Sequence, residues 1–306
     1  IGVALGNIDG RQALDLMQAA DLALYSAKSE GGVNYRFYNQ DMHASVLARR
    51  ELEDQLRVAL EQEQFEVHYQ PITNIKTLKV VGYEALARWR HPERGLVPPA
   101  EFIPLAEETG LIERLGAWVL TKACADMADL SDDLKIAVNF SPAQFRSAEL
   151  VDNVKRALAA SSLAANRLQL EITETTLMQN DSATVDQLNN LRSIGIQIVI
   201  DDFGTGYSSL SYLQSYPISC IKIDRSFVRT LGGGRSAGPI IRAITTLASS
   251  LGMVTVAEGV ETLAQLEEVG QLGCCEAQGF YFSEPKPIAE IVSAMATREK
   301  KDALAA

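Results

Sequence analysis

From Phe65 onward the chain alternates between short apolar runs rich in β-branched residues and longer stretches with helical spacing, and it does so eight times. The strand-like runs fall at 65–72, 80–89, 135–139, 168–173, 197–202, 220–224, 253–257 and 277–282. The clearest helical stretches between them are 115–128, 150–160, 182–193, 238–251 and 263–271. Eight strand–helix units over about 230 residues predict an α/β fold, a (β/α)8 TIM-like barrel. A doubly wound open sheet is the competing arrangement. A barrel draws its functional groups from the C-terminal ends of several strands. The sequence meets that condition repeatedly: Glu84 lies in the second run, Asn139 ends the third, and Glu171 sits in the fourth with Glu174 after it. Asp201 and Asp202 end the fifth, Lys222 lies in the sixth, Glu258 ends the seventh with Glu261 after it, and Gln278 lies in the eighth. Several acids inside apolar strands cost many kcal/mol unless they converge on cations.

The stretch IQIVIDDFGTGYSSL (196–210) concentrates that tension. A β-branched run suited to a buried strand leads directly into two carboxylates and a glycine-bearing loop. Two carboxylates about 4 Å apart repel by roughly 4 kcal/mol at an effective dielectric of about 20. A hard divalent cation such as Mg, Mn or Ca is the natural remedy. Taken alone, the same residues also read as an N-capping Asp followed by a glycine turn.

The net charge of −11 argues against binding long nucleic acid or an anionic membrane, though not against a small anionic ligand neutralised by metal ions. The four cysteines make no CxxC pair and read as reduced buried thiols of a cytoplasmic domain. Three histidines with no HxxxH make zinc an unsuitable metal. No apolar run has the length of a membrane span, and the first residues are not a signal peptide. Gly232-Gly233-Gly234 reads as a surface loop, since no strand–helix junction with a following Lys surrounds it.

Ahead of the barrel, residues 1–41 carry a strand, a helix from 13 to 29 stopped by Gly31-Gly32, and a second strand at 35–38. About 40 residues of this kind bury too little surface to stand alone. Residues 42–62 read as a linker helix with Leu52, Leu56 and Leu60 on one stripe. The division expected is therefore 1–41, 42–62, a barrel over 63–297 and a tail over 298–306. The segment AADLALYSAKSEGG (19–32) resembles the C-terminal end of GGDEF domains, the diguanylate cyclase family. The loop that names that family is absent from this chain, so no cyclase chemistry is assigned.

Eight motifs in order resemble the EAL domain family of cyclic di-GMP phosphodiesterases: YQPI (69–72), EALARW (84–89), NFS (139–141), EITE (171–174), DDFGTGYSSL (201–210), KID (222–224), EGVE (258–261) and QGFYFSEP (278–285). The resemblance implies a barrel whose first strand can run antiparallel to the rest. It also implies hydrolysis of cyclic di-GMP to linear pGpG by two-metal activation of water, with two Mg or Mn ions. By the same resemblance, Glu84, Asn139, Glu171 and Asp201 hold one ion, and Asp201, Asp202 and Glu258 the other. Lys222 orients the water, Glu258 is ligand or general base, and Glu174 and Glu261 anchor loops and ligands from behind. Gln70, Leu86, Arg88, Gln278 and Pro285 bind substrate, Arg88 as a fork on phosphate. Phe203, Gly204, Thr205, Gly206 and Tyr207 match a loop that joins the metal site to a homodimer interface. His68 and Phe280 read as packing variants, and Glu284 stands where a basic residue is frequent.

An inactive cyclic di-GMP receptor is the alternative, and a pure interaction domain a weaker one. Receptors of this family usually lack metal-binding acids or the DDFGTG loop, and here every matched acid is present.

Overall fold

The structure is a computed structural model that describes all residues except 30–34, 179–181, 205–212, 214, 233–236 and 306. Gly31, Gly32, Thr205, Gly206, Tyr207, Gly233 and Gly234, all singled out in the sequence, lie outside the described residues. The chain divides into two compact units, Ile1–Gln62 and Glu63–Ala306.

In the first unit, β1 (Gly2–Val3) pairs in parallel with β2 (Arg36–Phe37), and helix α1 (Ala13–Ser29) packs against both. Small residues set that packing: Ala19, Ala23 and Ala27 are buried. A Cβ on Gly2 would stand 1.9 Å from the carbonyl of Ala20, so strand and helix backbones touch. Helix α2 (Gln40–Glu61) begins where the Asn39 side chain accepts a hydrogen bond from the N–H of Met42, and it buries Leu52, Leu56 and Ala59.

The second unit contains strands β3 (Phe65–Asn74), β4 (Val80–His91) and β5 (Gly95–Val97), then helices α3 (Pro99–Thr109) and α4 (Ile112–Ala128). There follow β6 (Lys135–Phe140), α5 (Pro142–Phe145), α6 (Leu150–Ser161), β7 (Leu168–Thr173), α7 (Glu174–Met178) and α8 (Ser182–Ile194). Next come β8 (Gln197–Phe203), β9 (Ile218–Ile223), α9 (Arg225–Arg229), α10 (Gly238–Ser250) and β10 (Val254–Ala257). The unit ends with α11 (Leu263–Gln271), β11 (Glu276–Gln278), β12 (Lys286–Pro287) and α12 (Ile288–Ala305).

The sheet closes on itself, which removes the open-sheet alternative. The seven strands β4, β6, β7, β8, β9, β10 and β11 are mutually parallel. Strand β3 seals the gap between β11 and β4 and is antiparallel to both, so the first strand does run against the rest. The short β5 and β12 extend β4 and β3 as antiparallel additions. Among the described residues no helix is long and apolar enough to cross a membrane.

The eighth strand is shorter than the 277–282 read from sequence. It ends at Gln278, because a Cβ at Gly279 would come 2.1 Å from the carbonyl of Val260 and the chain turns there. Phe280 and Tyr281, aromatic and strand-like by propensity, are exposed beyond that turn.

The floor of the barrel is a small apolar plug of Ile72, Ala137, Val199, Cys220 and Val256. Strand side chains alternate with period two. Two residues further toward the mouth, the same inward rows therefore carry Gln70, Asn139, Asp201, Lys222 and Glu258. Strand β3 runs the other way, so its polar residue precedes its plug residue. The apolar floor and the polar layer above it are one geometric consequence of the pleat.

Candidate active site

Lys222 is the hub of that layer. Its ammonium is 1 % exposed and lies 2.7 Å from Glu258, 3.0 Å from Glu171, 3.2 Å from Glu84 and 3.4 Å from Asp201. With Lys222 itself counted, these groups come from four strands, β4, β7, β8 and β9, and from the end of a fifth, β10. Glu258 follows directly after β10, its N–H held by the carbonyl of Ile223. Glu84 is further gripped by Asn139 Nδ2 at 2.7 Å and Gln278 Nε2 at 2.6 Å. Gln278 Nε2 also donates to Gln70 Oε1 at 2.9 Å, while its own Oε1 is buried without a hydrogen-bond partner among the described residues.

Asp201 and Asp202 should face opposite sides of a regular strand. Asp202 instead takes φ +54°, a left-handed backbone that non-glycine residues rarely adopt, and the β8–β9 register shifts between Ile200 and Phe203. The alternation is broken, and one oxygen each from Asp201, Asp202 and Glu258 lie within 4.8 Å of one another. Asp tolerates this conformation better than a β-branched residue would. The N–H of Asp202 donates to Asp201 Oδ1 at 3.0 Å.

The electrostatics are those of an acid ring around a buried cation. Burial works against the charge of Lys222, but Asp201, Glu171, Glu258 and Glu84 outweigh it and hold its pKa well above the ordinary lysine value. Burial also opposes ionisation of Glu84, yet Lys222, with the hydrogen bonds from Gln278 and Asn139, keeps that carboxyl below the usual range. Glu171 goes the other way, pushed well above it by burial and then by Glu84, against the pull of Lys222. Glu258 is pushed up to about 8, first by burial, with Lys222 opposing and Asp201 and Glu84 adding. Asp202 is raised by burial, then by Asp201 and by Asp224, which also shares a hydrogen bond with it. Asp224 was not singled out in the sequence as a site residue. It caps α9, accepting from the N–H of Ser226 at 3.0 Å, and the KID motif was the available signal.

The other residues named from sequence distribute as follows. Glu174 is buried and accepts a hydrogen bond from the N–H of Gly204 at 3.1 Å, next to the buried Phe203. Glu261 is exposed, and its N–H donates to Gln265 Oε1 within the capping box that starts α11. Arg88 is half-buried, with one N–H on the carbonyl of Ala87, and burial lowers its pKa against the opposing influence of Glu84 and Glu66. Leu86, Arg88 and Asn139 line a cavity of about 280 Å³ that reaches under Pro99, Ile103 and Gly116. Gln70 Nε2 reaches the carbonyl of Ser283 at 3.1 Å, and Pro285 sits two residues further along that segment.

An all-oxygen donor set of carboxylates and an amide suits hard divalent ions. Among the described residues, Asp201, Asp202 and Glu258 are the acids whose geometry could hold such an ion.

Comparison with known proteins agrees with this picture. The family model "EAL domain" matches residues 53–285. A bifunctional diguanylate cyclase/cyclic di-GMP phosphodiesterase, MucR of Pseudomonas aeruginosa, is 44 % identical over 300 residues, covering 97 % of this chain and 44 % of that protein. The cyclic di-GMP phosphodiesterase NbdA of the same organism is 41 % identical over 295 residues, covering 95 % of this chain and 38 % of that protein. The chain thus spans less than half the length of these curated relatives. A solved structure described as the MucR phosphodiesterase in complex with c-di-GMP superposes with a TM-score of 0.76 at 45 % identity, over 79 % of this chain and 99 % of that one.

Proposed function

The chain belongs to the EAL domain family, and from that premise we propose that its barrel is a metal-dependent phosphodiesterase that hydrolyses cyclic di-GMP to linear pGpG. The observation that carries this reading is the convergence of Glu84, Glu171, Asp201 and Glu258 within 3.4 Å of one buried ammonium, with an oxygen of Asp202 within 4.8 Å of oxygens of Asp201 and Glu258. When all are ionised, five carboxylates against Lys222 leave four negative charges, which two divalent ions would cancel. A phosphodiester is itself anionic, so an acid mouth without cations would repel it.

By the family resemblance Glu84, Asn139, Glu171 and Asp201 would hold one Mg or Mn ion, and Asp201, Asp202 and Glu258, whose oxygens already converge, the second. Bound there, the ions supply Lewis-acid polarisation of a phosphoryl oxygen and acidify a water. The protein's own groups do the rest. Lys222 orients the attacking water and offsets charge that develops on phosphorus-bound oxygen. Glu258 is the residue proposed to take up the water's proton. One phosphorus–oxygen bond forms to the water and one breaks, and a proton goes to the leaving ribose oxygen. Arg88 clamps phosphate; Gln70, Leu86, Gln278 and Pro285 line the nucleotide pockets; Glu174 and Glu261 steady the loops.

The segment after Asp202, from Phe203 through Tyr207, is proposed to couple a homodimer interface to the metal site. Specific activity that does not change with protein concentration across the monomer–dimer range would oppose that coupling. Residues 1–41 are proposed as the end of a GGDEF domain, which is in keeping with their β–α–β unit. The decisive assay is turnover of cyclic di-GMP by this chain with Mg or Mn and with chelator. Metal-dependent appearance of pGpG is expected. Binding without cleavage would leave a receptor.

A further inference from the structure

The segment that carries Pro285 is strapped across β3 at several points. Gln70 Nε2 donates to the carbonyl of Ser283 at 3.1 Å. Lys286 and Pro287 pair with Tyr69 and His68 as β12. His68 supplies a further tie, with Nδ1 3.3 Å from the carbonyl oxygen of Pro285 and Nε2 3.0 Å from Glu66 Oε1. Glu66 is fixed in turn by Arg90, whose Nη2 and Nε donate at 2.7 and 3.3 Å to its two oxygens. Directly across the ladder from His68 stands Leu86.

Both partners of the ring are acceptors only, a peptide carbonyl and a carboxylate. A neutral imidazole has one N–H, so one of these contacts would set lone pair against lone pair. The imidazolium has two N–H groups and satisfies both. The charged groups on the flanking elements are Glu66 on β3, Arg88 and Arg90 on β4, and Glu284 and Lys286 on the strap, where Lys286 pairs with Glu290. Of these, Glu66 alone is in hydrogen-bond contact with the ring among the described residues.

The geometry points to His68 as a positioning residue that, doubly protonated, latches the Ser283–Pro287 strap to β3 and so sets the affinity of the mouth for a cyclic dinucleotide without entering the chemistry. This rests on the phosphodiesterase reading above. The latch holds only while both ring nitrogens carry a proton, since a neutral ring leaves one acceptor unserved.

The test compares the metal-loaded full chain with its His68→Gln variant, which is neutral at every pH, on cyclic di-GMP from about pH 5 to 8. The ratio of KM values, variant over native, cancels the titrations both proteins share. It is expected to be about tenfold at the acid end and to fall toward one as pH rises, with kcat within about twofold throughout. A ratio of one at every pH, or a loss confined to kcat, would overturn the latch. Two readouts need no activity. The imidazole 15N spectrum of the native protein should show both His68 nitrogens protonated at the acid end, and a single protonated nitrogen would overturn it. Protection of the Lys286 amide against hydrogen exchange should fall about tenfold in His68→Gln, and equal protection would overturn it. If native protein fails to cleave cyclic di-GMP, the proposed function falls, while the spectrum and the exchange still decide the latch.

Discussion

Replacing Lys222 by methionine gives the most direct view of what holds the barrel mouth together. The substitution keeps the length and much of the volume of the side chain and removes only its charge. Four carboxylates at 2.7 to 3.4 Å then lose their shared partner. Breaking a buried charge pair typically costs about 3–5 kcal/mol. Proton uptake by the stranded acids caps the penalty near that range. For a domain of this size each kcal/mol shifts Tm by about 2–4 °C, so a fall of about 6–20 °C is expected in chelator. The sign of its pH dependence follows from proton counting. Without the ammonium the folded acids have raised pKa values, so the folded state binds more protons than the unfolded chain, and stability falls as pH rises. The penalty should therefore be larger at about pH 8 than at about pH 5. Divalent ions that enter the same acids should restore much of the loss. Thermal unfolding followed by circular dichroism, with chelator and with Mn, reads all three effects. Equal Tm values for variant and native protein in chelator at the alkaline end would refute the ion-pair account.

Glu84→Gln should lower turnover of cyclic di-GMP by about 10²-fold or more; Asn139 and Gln278 donate to different oxygens of Glu84, and the one amide oxygen can accept from only one of them, so Tm should also fall, by about 2–10 °C; near-native turnover would remove Glu84 from the metal set. Glu258, pushed up to about 8, makes the metal-free fold hold a proton that the unfolded chain has already released, so apo stability should decline between the ordinary carboxylate range and about pH 8. Loading divalent ions at neutral pH should accordingly release protons, measurable by calorimetry in buffers of different ionisation enthalpy, and heat that is independent of buffer would contradict the assignment. Arg167 lies buried far from the mouth, with Nε on the carbonyl of Leu134 and Nη2 on that of Met127, both at 2.8 Å. Arg167→Met should cost roughly 2–4 kcal/mol in denaturant unfolding and leave kcat unchanged, and an altered kcat would place it in the catalytic machinery.

What the sequence reveals and what it conceals divide along a physical line. Strand position is legible because side-chain alternation is local: the same period that sends Val199 to the floor sends Asp201 to the mouth. Closure of the sheet is not local. It depends on the antiparallel β3–β11 contact between segments two hundred residues apart, and no window of sequence contains it. The eighth strand is shorter than its local propensity suggests for a related reason. Phe280, Tyr281 and Phe282 have strand propensity, but the carbonyl of Val260 beside Gly279 decides where the chain turns. His68 reads as packing because its two acceptors come from Glu66 and the distant Pro285.

Asp202 shows most sharply how a site can be visible in composition and hidden in geometry. Two consecutive acids on a strand announce charge but, by the pleat, should point apart. Their usefulness as a pair depends on one left-handed residue at φ +54°, which the sequence marks only by the glycine two positions on. Such a backbone costs roughly 1 kcal/mol or more, so it persists only where surrounding contacts favour it. Here Gly204 is tied to the buried Glu174 on one side, and Asp224 meets the Asp202 carboxyl on the other. The distortion that breaks the ladder at the end of β8 is therefore flanked by side chains from the start of α7 and the cap of α9, and the acid pair and Gly204 form a single mechanical unit. A perturbation of Glu174 should accordingly reach the Asp201–Asp202–Glu258 cluster without touching it. Glu174→Gln, which keeps the acceptor for Gly204, should preserve the affinity for Mn measured by calorimetry. Glu174→Ala should weaken it about tenfold. Equal affinities in the two variants would mean that the turn at Asp202 stands without that tie.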